Sequence, residues 1–221
     1  MKTKTKVNVF QLVIAMVGVF ASYFAVNMFN RHFLMSFTLV ARMILLIILQ
    51  WVPAVVLIIV MFFVKDELRD FGFVKEKVAT QILIGLGIAV VMSTFLTVIP
   101  IMLGFKEWIG SYTYTKPWQF IYQFVLTIFG VALAEEFIFR GFVFNKLLNI
   151  KSSKLFAIVV SSALFGFCHI FSGNIIQILV TSIIGAFWCL CRDKIKYCST
   201  LSLIIAHGVY DGLIALWTSV I

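Results

Sequence analysis

Ala134-Glu135-Glu136-Phe137-Ile138-Phe139-Arg140 lies inside an apolar run that begins near Trp118. Two adjacent carboxylates in a membrane-length segment cost ~2.5–3.5 kcal/mol each on insertion scales, and they mark function in such segments. On a helix, Glu136 and Arg140 are spaced i, i+4 and can pair. Glu135 points about 100° away, the angular step of one residue in a 3.6-per-turn helix. One carboxylate therefore has a local cation, and the other is left to face a different part of the protein.

Outward from that stretch, the composition is that of a membrane protein. Of 221 residues, 62% are hydrophobic and 12% are charged, with a mean hydropathy of +1.10. A soluble domain carries about 25% charged residues. The net charge of +9 falls in short loops between apolar runs, which is positive-inside topology rather than a nucleic-acid surface. No nucleic-acid partner is expected. Cys168, Cys189, Cys191 and Cys198 form no Cys-x-x-Cys pair and read as small apolar fillers.

The apolar runs give seven spans. Lys2, Lys4 and Lys6 precede the first, Val7 to Phe29, which is too long for a signal-peptide core and reads as an uncleaved span. Met43 to Val64 is the second, with Pro53 as its kink. The charged segment from Lys65 to Lys77 reads as a surface loop. Gln81 to Gly104 is the third span, and Lys106 to Lys116 holds an interfacial cluster of Trp108, Tyr112 and Tyr114. Pro117 suits a helix start, and the fourth span runs from Trp118 to about Leu148, its end marked by Lys146, Lys151 and Lys154. Leu155 to Phe171, Ile175 to Cys191 and Ser199 to Ile221 complete the set, with a tight turn at Ser172-Gly173-Asn174.

The fold class is therefore all-α, a polytopic transmembrane bundle of about seven spans. With the N-terminus inside and the C-terminus outside, 14 of the 18 basic residues fall on the inner side. The outer side holds Arg31, Arg42, Lys106 and Lys116. The chain divides into residues 1–116, helices and loops without intramembrane acids, and residues 117–221, where the chemistry lies. The short loops and short length suggest a bacterial plasma membrane.

The intramembrane polar residues sit on three late helices. The fourth span has Glu135, Glu136 and Arg140, the fifth has Phe165-Gly166-Phe167-Cys168-His169, and the seventh has His207-Gly208-Val209-Tyr210-Asp211. His207 and Asp211 share one helix face. A Glu, His, His and Asp set can activate water by general-base catalysis or bind a metal through Glu and His. The His-Glu-x-x-His spacing is absent. Phe165 and Phe167 read as apolar packing. Asn27, Arg42, Gln81 and Glu107 read as interfacial or packing residues without chemistry.

Glu135-Glu136-x-x-x-Arg140, Phe165-x-x-x-His169 and His207-x-x-x-Asp211, in that order, resemble the CPBP family. These are the type II CAAX prenyl endopeptidases and the bacteriocin-processing or immunity proteins, also called Abi. The resemblance covers roughly Trp118 to Leu216. It implies an intramembrane endopeptidase in which Glu135 is the general base and His169 helps to hold the water. His207 and Asp211 would stabilise the oxyanion or orient the site, while Glu136 and Arg140 brace the helix end. It implies Glu135, His169 and His207 as ligands if a divalent metal such as zinc is used, and a metal-free mechanism is equally allowed. The substrate would be a peptide or small membrane protein within the lipid bilayer. The alternative is a bacteriocin self-immunity or toxin-binding protein without required proteolysis.

Overall fold

The computed structural model describes residues 2–66, 68, 70–172 and 175–221, with the side chains of 2–4 and 172 excepted. Gly173 and Asn174 of the expected tight turn, and Arg69 of the expected inner charges, lie outside them. No strand occurs among the described residues. Seven helices are long and apolar enough to cross a membrane. They are α1 (Lys2–His32), α2 (Leu39–Phe63), α3 (Val78–Met102), α4 (Pro117–Ile150), α5 (Lys154–Phe171), α6 (Ile175–Lys194) and α7 (Thr200–Val220). The chain is a multi-pass, all-α membrane protein. The apolar runs locate these helices because a span must satisfy all its backbone groups internally.

Local sequence sets the breaks. Trp51 interrupts α2 as a turn just ahead of Pro53, which opens the second half at its first turn. Pro117 opens α4. With 34 residues, α4 is about 50 Å long at ~1.5 Å per residue, against a core of ~30 Å, so it tilts or runs beyond the bilayer. Two π-helical stretches, Leu126–Ala132 and Phe137–Val143, flank the turn Leu133–Glu136 that carries the glutamate pair. Such widened turns recur at functional sites.

The centre of the bundle is α7, packed on α3 and α4. Small residues permit the approach, as membrane helices require. A Cβ on Gly208 would meet the Ile128 backbone at 2.6 Å, and Thr127 Oγ1 donates to the Gly208 carbonyl at 2.8 Å. Outside this core, α5 pairs with α6, and α1 with the second half of α2. Large side chains such as Phe62, Phe63 and Val17 cover the lipid-facing surface.

The segment from Lys65 to Lys77 is exposed over residues 73–77, as its charge suggests, but its first half reaches into the interior. Asp66 is buried and pairs with Lys146 Nζ at 2.6 Å, and Lys146 also donates to Gln11 at 2.7 Å. Phe71 stacks on Phe137 with centroids 4.7 Å apart. Thr200 donates through its backbone N–H to the Gly72 carbonyl and through Oγ1 to that of Phe71. The segment ties α1, α4 and α7 together at one end of the bundle. Lys146 and Arg140 are consequently 2% and 1% exposed. They are buried ion-pair partners rather than topology charges at a helix end.

Candidate active site

The α4 turn Leu133–Glu136 directs both glutamates inward, and both are buried. Glu136 Oε1 accepts from Arg140 Nη1 at 3.0 Å and lies 2.9 Å from His207 Nδ1. A carboxylate only accepts, so Nδ1 carries the proton. The expected Glu136–Arg140 pair is present, and Glu136 additionally orients the histidine. Of the three residues, Glu136 is wholly buried, which makes the pair costly to break.

The other nitrogen, His207 Nε2, lies 3.3 Å from Asp211 Oδ2 and 3.9 Å from Glu135 Oε2. The i, i+4 spacing on α7 places His207 and Asp211 on one face, as the sequence indicates. An imidazolium would donate from both nitrogens, to Glu136 and to Asp211. Glu135 meets Nε2 only at long range.

His169 stands in the 3-10 turn that ends α5. Its Nδ1 lies 3.1 Å from the Phe165 carbonyl, an acceptor only, which places the other ring nitrogen's lone pair on the far side. His169, His207 and Asp211 line one cavity of about 650 Å³, with Trp108, Gln177, Thr181 and several isoleucines. Burial, and then the Asp211 charge, raise the phenol of Tyr112 in the connection beyond α3 above its ordinary range, so this tyrosine stays neutral.

Behind the catalytic face lies an aromatic cradle. The Arg140 guanidinium sits 4.3 Å over the Phe165 ring and 5.1 Å over Trp188. Trp188 lies 4.3 Å from the His207 ring, tilted by 31°. Gly185 makes the room, since a Cβ there would stand 3.0 Å from Arg140 Nη2. Phe165 is therefore more than packing, whereas Phe167 is half exposed and meets Phe20. Sequence reading misses Trp188, because one aromatic in an apolar run carries no signal.

Among the described residues, no group of three or more His, Cys, Asp or Glu side chains is placed to hold a metal ion. Glu135, His169 and His207 form no such group in this arrangement. All four cysteines are free thiols. The Cys168, Cys189 and Cys191 side chains are buried as fillers.

Residues 117–213 match the family model described as Rce1-like, the type II CAAX prenyl endopeptidases. Over this region the chain is similar to the CAAX prenyl endopeptidases. All seven motif residues, from Glu135 to Asp211, lie within the match. No curated protein and no solved structure matches the chain significantly.

Proposed function

We propose that the chain is a CAAX-type protease that hydrolyses internal peptide bonds of an apolar, membrane-associated peptide or small membrane protein, with Glu135 as general base. The observation that supports this most is the approach of Glu135 Oε2 and Asp211 Oδ2 to one nitrogen, His207 Nε2, at the wall of the cavity. The apolar lining accepts an apolar segment. Glu135 takes a proton from water held with the help of His169, and the hydroxide oxygen attacks the scissile carbonyl carbon. As an imidazolium, with its Nδ1–H held by Glu136, His207 turns its Nε2–H from Asp211 to the developing oxyanion. When the C–N bond breaks, the leaving amine takes the proton from Glu135. Glu136 holds the imidazole in place, and Asp211 orients it from the other edge.

Catalysis is assigned to residues 117–221, and residues 1–116 supply the scaffold. An inside N-terminus and an outside C-terminus, in a bacterial plasma membrane, complete the reading. With buried Arg140 and Lys146 withdrawn, the charge bias still favours the inner loops.

The test is cleavage of candidate peptides by purified protein in detergent. Glu135→Ala and His169→Ala should each abolish cleavage while the protein stays folded. Activity should survive a zinc chelator, and loss would assign the water to a metal. Wild-type cleavage by Glu135→Ala overturns the proposal. Protection against a toxin that persists in that variant would assign the chain to binding instead.

A further inference from the structure

Three polar atoms on α1 are buried with no hydrogen-bond partner among the described residues: Tyr23 Oη, Asn27 Oδ1 and Asn30 Oδ1. Positions 23, 27 and 30 are spaced i, i+4, i+7 and form one stripe on the helix. At the helical rise, the stripe covers about 10 Å in steps of ~6 Å and ~4.5 Å. One water bridges two polar atoms about 5.5 Å apart, so these steps suit single-file water. Buried polar atoms in native proteins are paired with protein or with water.

The stripe has a direction. At its inner limit Tyr23 reaches the site. Phe20 packs on Phe167 at 5.3 Å and Phe24 on Phe171 at 5.7 Å, so this part of α1 runs along the turn that carries His169. The Tyr23 phenol is within electrostatic reach of Glu135, Cys168 and Glu136. Below Tyr23 the same side of α1 becomes apolar, with Met16 and Val19 6% and 0% exposed. The Asp66–Lys146 pair and Gln11 close that end of the bundle. Above Asn30 the helix ends at Arg31 and His32, both exposed. The stripe is thus open at the Asn30 end and closed beyond Tyr23.

We propose that Asn30, Asn27 and Tyr23 form a water path that supplies Glu135 from the α1 side while the peptide fills the cavity on the α6–α7 side. The proposal rests on the hydrolytic reading above. It answers a problem that reading creates. Each turnover consumes one water, and a bound apolar peptide obstructs the large cavity, whose lining comes from α3, α5, α6, α7 and the Trp108 turn. A second route on the opposite side lets water arrive with substrate in place.

Silver-ion accessibility in phosphatidylcholine vesicles tests the path without relying on activity. Silver reaches a thiol only through water, and the reactive species is the thiolate. Asn27→Cys should react at least about tenfold faster than Phe24→Cys, a lipid-facing control one turn away. Wild-type protein supplies the background. Outside the spans, the Cys198 thiol, pushed up to about 11 by burial and then by Cys191, stays protonated. In the cleavage assay, Asn27→Leu should lower kcat about tenfold with KM unchanged, the signature of an interaction absent from ground-state binding. If Asn27→Cys reacts no faster than Phe24→Cys, there is no water path. If it reacts faster but Asn27→Leu cleaves like wild type, the path does not feed catalysis. Rapid silver reaction in a protein that cleaves nothing would instead count against the hydrolytic reading.

Discussion

His207 Nδ1 lies 2.9 Å from Glu136 Oε1, although 71 residues of chain separate the two. The same oxygen accepts from Arg140, so one wholly buried carboxylate fixes both an imidazole and a guanidinium. In the proposed mechanism Glu136 is a positioning residue. Glu136→Gln keeps the shape and removes the charge. It should lower kcat by ~10²-fold with KM nearly unchanged, because the orientation matters only as charge develops. It should also destabilise the protein by ~3–5 kcal/mol, as breaking a buried ion pair does. Thermal unfolding in detergent, measured beside steady-state cleavage, checks both.

Glu135 should behave differently. His207 Nε2 lies 3.9 Å from it, and among the described residues no Arg or Lys forms a salt bridge with it. Glu135→Gln should therefore lower kcat by ~10²–10⁴-fold, the range for loss of a general base, while leaving the unfolding midpoint nearly in place. The opposite pattern, a large stability loss with modest kinetics, would exchange the roles of the two glutamates.

Much of this site is legible in the sequence because charge stands out in apolar runs. Glu135, Glu136, His169, His207 and Asp211 are each conspicuous, and helical spacing alone pairs Glu136 with Arg140 and His207 with Asp211. The spans are legible for the same reason. Three features are not. Asp66 and Lys146 read as loop charges, because nothing local shows that residues 80 positions apart pair in the interior. Trp188 is one aromatic among many, and only packing shows which ring meets His207. The link from Glu136 to His207 joins separate helices, and no single-helix period reports a contact of that kind.

Trp188 offers a separate check on how the imidazole is held. Its ring lies 4.3 Å from His207 and its Nε1–H donates to Met92 Sδ at 3.1 Å. Trp188→Ala should cost ~3–5 kcal/mol through the cavity it leaves. Trp188→Phe keeps an aromatic face beside both the imidazole and Arg140, and should recover most of kcat. If the phenylalanine variant cleaves no better than the alanine variant at a temperature where both are folded, the ring is not what positions His207.

The Asp66–Lys146 pair shows how far the first 116 residues are built into the catalytic part. Both side chains are 2% exposed or less, and the pair joins the segment after α2 to α4 one and a half turns beyond Arg140. Lys146→Met leaves Asp66 buried without its cation, and should destabilise the protein by ~3–5 kcal/mol. The double variant Asp66→Leu with Lys146→Met removes both charges and should recover most of that loss, since buried pairs are often replaceable by apolar residues at little net cost. Cleavage by the double variant should then approach the wild-type rate, because neither residue touches the cavity. A double variant that is stable but inactive would mean that this end of the bundle governs the glutamates through α4, rather than simply closing it.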